Sequence, residues 1–254
     1  MVCKKLSYFI ILVIAILAVT YIFRDWFLFF SCDGVKECVE DNSNYQHITK
    51  FMVTSLSVVL ILLQKKNFLN LRDFTLMISG FLVLWLADFS LKILNNFNIG
   101  QIEINYTTRG IFFFIIVQCL FILRHTRTSA IDTKFPLPYV IIFVVFLLAD
   151  PFFFMGKIPL LALVVIVYAC ALFSSLFVAL KIKKNSFFPE QNKKLIFWGM
   201  ICFFMCDVNV GLSLIPGDSH TLAFAVATIT NNLVWMFYTP ALVLLALSVV
   251  KFKD

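Results

Sequence analysis

Apolar residues run along this chain in long blocks, separated by short breaks of Lys, Arg, Asn, Asp and Pro. Between those breaks the blocks fall near residues 7–23, 48–64, 74–95, 110–123, 136–154, 158–180, 195–214 and 222–250. A helix needs about 20 apolar residues to cross a bilayer. The pattern therefore predicts an all-α, polytopic membrane helix bundle of about eight transmembrane helices. The fifth block reaches membrane length only by continuing, or bending, past Asp150 and Pro151 into Phe152–Phe154. The last is longer than one span and is expected to tilt or protrude. With so little sequence between blocks, residues 1–254 read as a single integral membrane domain.

Composition narrows the class further. The chain is 61% hydrophobic and 14% charged, against about 25% charged in soluble domains. The net charge of +7 does not require a nucleic-acid partner, because its distribution follows the breaks. Lys4, Lys5, Lys65, Lys66, Arg72, Arg124, Arg127, Lys134, Lys181, Lys183, Lys184, Lys193, Lys194, Lys251 and Lys253 fall on alternate sides of successive blocks, the side shared by the two termini. These are 15 of the 21 Lys and Arg. The positive-inside rule then places both termini in the cytoplasm. The block after Lys4 and Lys5 reads as an uncleaved first helix, since no A-x-A site follows and the run is long for a signal peptide. The Lys, Asn, Ile and Phe bias suggests an AT-rich genome, and a bacterial inner membrane is the expected location. Cys32 and Cys38 share the first external loop, where a disulfide or two free thiols are both open. Asn105-Tyr106-Thr107 is a glycosylation sequon very close to the bilayer.

Two blocks carry a carboxylate at one offset from a glycine: Gly80 to Asp88 (GFLVLWLAD) and Gly199 to Asp207 (GMICFFMCD). A charge near the bilayer centre costs roughly 2.5–3.5 kcal/mol on insertion scales, which makes both aspartates candidates for function. In the expected topology both lie in the outer half of the membrane. Thr228, Asn231, Asn232, Trp235, Tyr238 and Thr239 form a polar and aromatic stripe at helical spacing in the last block, at a similar depth. Lys50 begins the second block on the same side, and Lys92 lies one turn beyond Asp88. The expectation is a polar pocket toward the outer leaflet among the second, third, seventh and eighth blocks. Plainer readings exist for each element. Asp88 and Lys92 can neutralise each other as i,i+4 neighbours, the stripe can be interhelical hydrogen-bond glue, and Lys50 can snorkel to the interface. Cys202 and Cys206 read as packing residues, and no His or Cys spacing implies a metal or a cofactor.

Five segments together resemble the YhhN family of eight-helix membrane proteins, whose characterised members include lysoplasmalogenases. Thr49-Lys50-Phe51 is similar to the family's T-K-P opening. Gly80 to Leu91 is similar to its S-x-x-G-D-x-x-L segment. Gly110, Phe114, Gln118 and Phe121 keep the spacing of its G-x3-F-x3-H-x2-Y helix. Gly199, Phe203, Cys206 and Asp207 follow G-x3-F-x2-S-D, and Phe237-Tyr238 with Leu244 to Ser248 echo its Y-Y-x-x-Q-x-L-I ending. The chain departs from the pattern at Phe51 (proline), Ala87 (glycine), Gln118 (histidine), Phe121 (tyrosine), Cys206 (serine) and Ala241 (glutamine).

The resemblance implies hydrolysis of the vinyl ether of a lysoplasmalogen, with a membrane lipid as substrate. Asp88 and Asp207 are the expected catalytic pair. In that scheme Lys92 keeps Asp88 ionised and Asp207 is the general acid, although the reverse assignment is open. Lys50, Asn231, Asn232, Tyr238 and Gln118 are the expected substrate-binding residues. Two alternatives remain open at this level: a proton-coupled carrier of a small molecule or lipid, and a catalytically inactive lipid-binding member of the family. Against the carrier, the third and seventh blocks run in the same direction, so their echo is not an inverted repeat, and neither shows the Gly/Pro interruptions of a broken-helix site.

Overall fold

The computed structural model describes residues 2–31, 44–94, 106–127, 160–213 and 222–252. Seven helices within them are long and apolar enough to cross a membrane: α1 (Val2–Ser31), α2 (Asn44–Leu63), α3 (Leu71–Asp88), α4 (Tyr106–His125), α5 (Leu160–Leu180), α6 (Glu190–Ser213) and α7 (Leu222–Leu247). The protein is thus an all-α, multi-pass membrane bundle. The expected span near 136–154 lies outside the described residues, as do Cys32, Cys38 and Asn105.

Each helix packs on its neighbour in sequence, and α7 returns to pack against both α1 and α2, closing a ring. Large apolar side chains such as Phe9, Phe23 and Phe30 on α1, Leu82 on α3 and Trp198 on α6 point outward, the arrangement that a lipid solvent favours. Because lipid tails are as apolar as leucine, association depends on close fit and on polar contacts between helices. Two of the glycines supply close fit. A Cβ at Gly80 would lie 3.1 Å from Phe121 Cε1 across the α3–α4 contact, and one at Gly199 would lie 2.9 Å from Leu245 Cγ across α6–α7. The Gly-to-Asp echo therefore has a physical meaning in each helix. A tight helix crossing sits about 12 Å, eight residues of helical rise, from the carboxylate.

Polar contacts concentrate at the end of the bundle where α2 turns into α3. Asn70 caps α3 by accepting from the Arg72 amide, and the turn pairs with the chain after α7 through a bridge between Phe68 and Val250. Arg124, at the end of α4, donates to both oxygens of Asp73 on α3 at 2.8 and 3.1 Å. It also donates to Ser248 Oγ at 2.8 Å and to the Ser248 carbonyl at 3.0 Å. Asn192 of α6 reaches the carbonyls of Ser248 and Val250. Asp73 and Arg124 are both fully buried. This corrects the reading of Arg124 as a loop cation: its charge is consumed in joining α3, α4 and α7.

Two irregularities fall where unbroken helix was expected. Directly after Asp88 the third span continues as a π-helical turn, Phe89–Leu94, a form found mostly as single turns at functional positions. Pro240 lies inside α7, two residues past Tyr238, where its missing N–H leaves one helical hydrogen bond unmade.

Candidate functional site

A cavity of about 640 Å3 lies inside the ring, within the size range of small-molecule sites. Its wall draws on every described helix. α2 contributes Gln46, His47 and Lys50. The third span contributes Asp88, Leu91 and Lys92, and α6 contributes Cys206, Asp207, Val210 and Ser213. α7 contributes Asn231, Asn232, Val234, Trp235 and Tyr238, while Asp25 of α1, Ile111 and Phe114 of α4 and Tyr168 of α5 complete it. The structure thus brings together six of the seven residues expected from sequence. Gln118 is not part of the lining. It is buried between α4 and α5, where its Oε1 accepts from Ser175 Oγ.

The two aspartates have different company. Asp88 is 2% exposed, and its Oδ2 accepts from Thr54 Oγ1 at 2.6 Å and from the Tyr238 hydroxyl at 2.9 Å. These bonds tie α3 to α2 and to α7. Lys92 acts on Asp88 electrostatically, but the short hydrogen bonds to this carboxylate come from neutral hydroxyls. Asp207 is half-buried and its Oδ2 accepts from the Tyr168 hydroxyl of α5 at 2.6 Å. Tyr238 also packs edge-on against Phe203 and Trp235, which fixes the ring that serves Asp88.

Lys50 does not snorkel. It is 6% exposed, and its Nζ lies 2.7 Å from Asp25 Oδ2. The same ammonium sits 5.8 Å from the Tyr21 ring and 5.9 Å from the Trp235 ring, within cation–π range. Lys92 Nζ lies 5.6 Å from that same Trp235 ring. Tyr21 is held in turn by a hydrogen bond shared with Thr239 of α7. Asn232 is buried beside the Asp25 carbonyl, and Asn231 is exposed at the rim.

Sequence reasoning missed Asp25, Thr54 and Tyr168. Tyr168 had a signal, since it is the lone tyrosine of the block Leu160–Leu180 and a buried hydroxyl needs a partner. Among the described residues no group of three or more His, Cys, Asp or Glu is placed to hold a metal ion.

Of the positions at which the chain departs from the expected motifs, Gln118, Phe121 and Ala241 lie off the cavity wall. Phe121 is fully buried among Phe81, Phe203 and His125, Ala241 is fully buried, and neither lines the cavity. Cys206 does line it. The model of the YhhN family matches residues 45–249, which takes in α2 to α7 and leaves α1 ahead of the match. No curated protein and no solved structure matches the chain.

Proposed function

The chain belongs to the YhhN family, and on that premise we propose that it is a membrane-embedded hydrolase of the vinyl ether bond in lysoplasmalogen-type lipids. The observation that carries the reading is that Asp88 and Asp207 share one cavity but not one set of hydrogen-bond donors. Vinyl ether hydrolysis needs a group that gives a proton to carbon and a second that stabilises positive charge and then takes a proton from water. Two carboxylates in unlike surroundings are a general means of dividing such roles. Asp88, with two donors on one oxygen and Lys92 near it, is suited to the anion. Asp207, with one donor, is suited to carrying the proton.

In this mechanism Asp207 protonates the vinyl carbon remote from oxygen, and the adjoining carbon becomes an oxocarbenium ion. Water adds to that carbon and gives its proton to Asp88. The resulting hemiacetal breaks its bond to the glycerol oxygen, which takes the proton from Asp88 while the hemiacetal hydroxyl gives its proton to Asp207. An aldehyde and the glycerophospho-alcohol leave, and both carboxyl groups return to their starting states. One water is consumed for each bond cleaved. Lys50, Asn231, Asn232 and Tyr238 position the substrate and the water, while Gln118 acts at one remove, behind the cavity wall. Support for retained activity comes from Phe121 and Ala241, packing positions away from the lining, and from Gln118, whose hydrogen bond to Ser175 lies behind it. Of the motif departures only Cys206 meets the cavity. In the same reading the chain is one membrane domain with both termini cytoplasmic, its cavity in the outer half of a bacterial inner membrane.

The test uses purified protein in detergent, with a lysoplasmalogen and its saturated ether analogue each followed for aldehyde release. The expected result is aldehyde from the vinyl ether alone, abolished in Asp88→Asn and Asp207→Asn while both variants remain folded. Full turnover in either variant, or no aldehyde from folded wild type, would overturn the proposal.

A further inference from the structure

The hydrolytic scheme gives Lys50 a positioning role and places Lys92 near Asp88, but it does not say why the two lysines gather over one indole. Lys50 arrives from α2, Lys92 from the π-helical turn and Trp235 from α7, and the two ammoniums lie 5.9 and 5.6 Å from the centre of that single ring. Both belong to the cavity wall, and they are close enough to repel each other. Converging like charges raise the local potential for an ion of opposite sign. Lys50 already meets a carboxylate, Asp25, at 2.7 Å, and this partner comes from α1, a different element from those that carry the catalytic pair.

We propose that Lys50 and Lys92, gathered over Trp235, form a subsite for a phosphate group, with Asp25 as the internal counter-ion that phosphate displaces from Lys50. The proposal rests on the lipid reading of the cavity and adds to it the part of the substrate that this end recognises. The spacing suits a glycerophospholipid. The Trp235 ring is 4.9 Å from the Tyr238 ring, and Tyr238 holds Asp88. The ring that faces the cation pair and the ring that holds the carboxylate are thus three residues, about one helical turn, apart along α7, a spacing on the scale of a glycerol backbone between its phosphate and its ether oxygen. A phosphodiester has acceptor oxygens enough to take both ammoniums, and such charge-assisted contacts are among the stronger hydrogen bonds. Asp25 keeps Lys50 paired when no anion is bound, which avoids an uncompensated buried charge.

The test measures equilibrium binding rather than turnover, on the full-length protein in detergent. Two saturated ether lipids of one chain length are compared: an alkyl-glycerophosphoethanolamine and the alkylglycerol that lacks phosphate. Wild type should bind the phosphate lipid about tenfold or more tightly. Lys92→Gln and Lys50→Gln should each remove most of that preference, and Asp25→Asn should strengthen phosphate-lipid binding several-fold. Where Lys50→Gln fails to fold, Lys92→Gln carries the test. Equal affinity for the two lipids in wild type, or a preference that survives Lys92→Gln, would overturn the subsite. Competition identifies the source of the phosphate. Displacement of the lipid by millimolar inorganic phosphate supports a site for free phosphate, and displacement only by chain-bearing phospholipid supports a head-group site. Because saturated ethers are not cleaved in the proposed reaction, the two readings fail separately. Phosphate preference without aldehyde release removes the hydrolase alone; aldehyde release without phosphate preference removes the subsite alone.

Discussion

Replacing Asp73 by alanine tests whether the bundle is held at one end by a buried ion pair. Arg124 is fully buried, and four of its N–H···O contacts are divided equally between Asp73 and Ser248. Asp73→Ala removes two of these and leaves the guanidinium facing a hydroxyl and a carbonyl, with no anion. Hydrogen bonds to charged groups contribute about 1.5–3 kcal/mol each, so two give roughly 3–6 kcal/mol. Removing one partner of a buried ion pair costs about 3–5 kcal/mol by direct comparison, and the two routes agree. The double variant Asp73→Leu/Arg124→Met removes both charges, and it should recover most of the loss because apolar replacement of a whole buried pair is often neutral. The assay is reversible unfolding in mixed micelles with increasing SDS, followed by tryptophan fluorescence. The argument fails if Asp73→Ala lies within about 1 kcal/mol of wild type, or if the double variant is no more stable than the single one.

Other consequences follow from particular contacts. Gly199→Ala should destabilise by about 1–3 kcal/mol through the clash with Leu245, whereas Gly211→Ala, with nothing within 4 Å of the new Cβ, should leave the unfolding midpoint unchanged. Gly110→Ala places a Cβ 2.5 Å from Leu91 Cγ, so it should disturb the π-helical turn and lower both stability and phosphate-lipid affinity. Tyr168→Phe removes the hydroxyl that donates to Asp207. It should lower kcat for aldehyde release by about tenfold or more with KM and the unfolding midpoint little changed; unchanged kcat would show that this bond does not serve the reaction.

Membrane-length apolar blocks made the spans readable, because in lipid only a helix satisfies its own backbone. Their ends were less so. α1 runs from Val2 to Ser31 rather than over 7–23, since Lys4, Arg24 and Asp25 end an apolar block without ending a helix. Asp88, Asp207, Asn232 and Tyr238 stood out because polar groups in such blocks need a reason to be there. Asp25 did not stand out, since next to Arg24 at a block edge it looks like an ordinary interfacial charge. Its role emerges only when ring closure sets α1 against α2 and places it on Lys50. The π-helical turn has no counterpart in the apolar pattern, because one turn of altered winding leaves hydrophobicity unchanged. Lys50 was read two ways from sequence, and burial with an ion-pair partner decides against the interfacial one.

The closing of the ring by α7 also has a consequence for biogenesis. Tyr238 on Asp88, Trp235 beneath both lysines, Thr239 on Tyr21 and Ser248 on Arg124 all come from a stretch synthesised after the helices that they meet. Until that stretch inserts, Asp88 and Arg124 stand in the membrane without these partners, at a cost of several kcal/mol for groups of this kind. A chain that ends before α7 thus keeps Thr54 on Asp88 and Asp73 on Arg124, but loses Tyr238 from the one and Ser248 from the other. Completion of the site therefore waits on the insertion of α7.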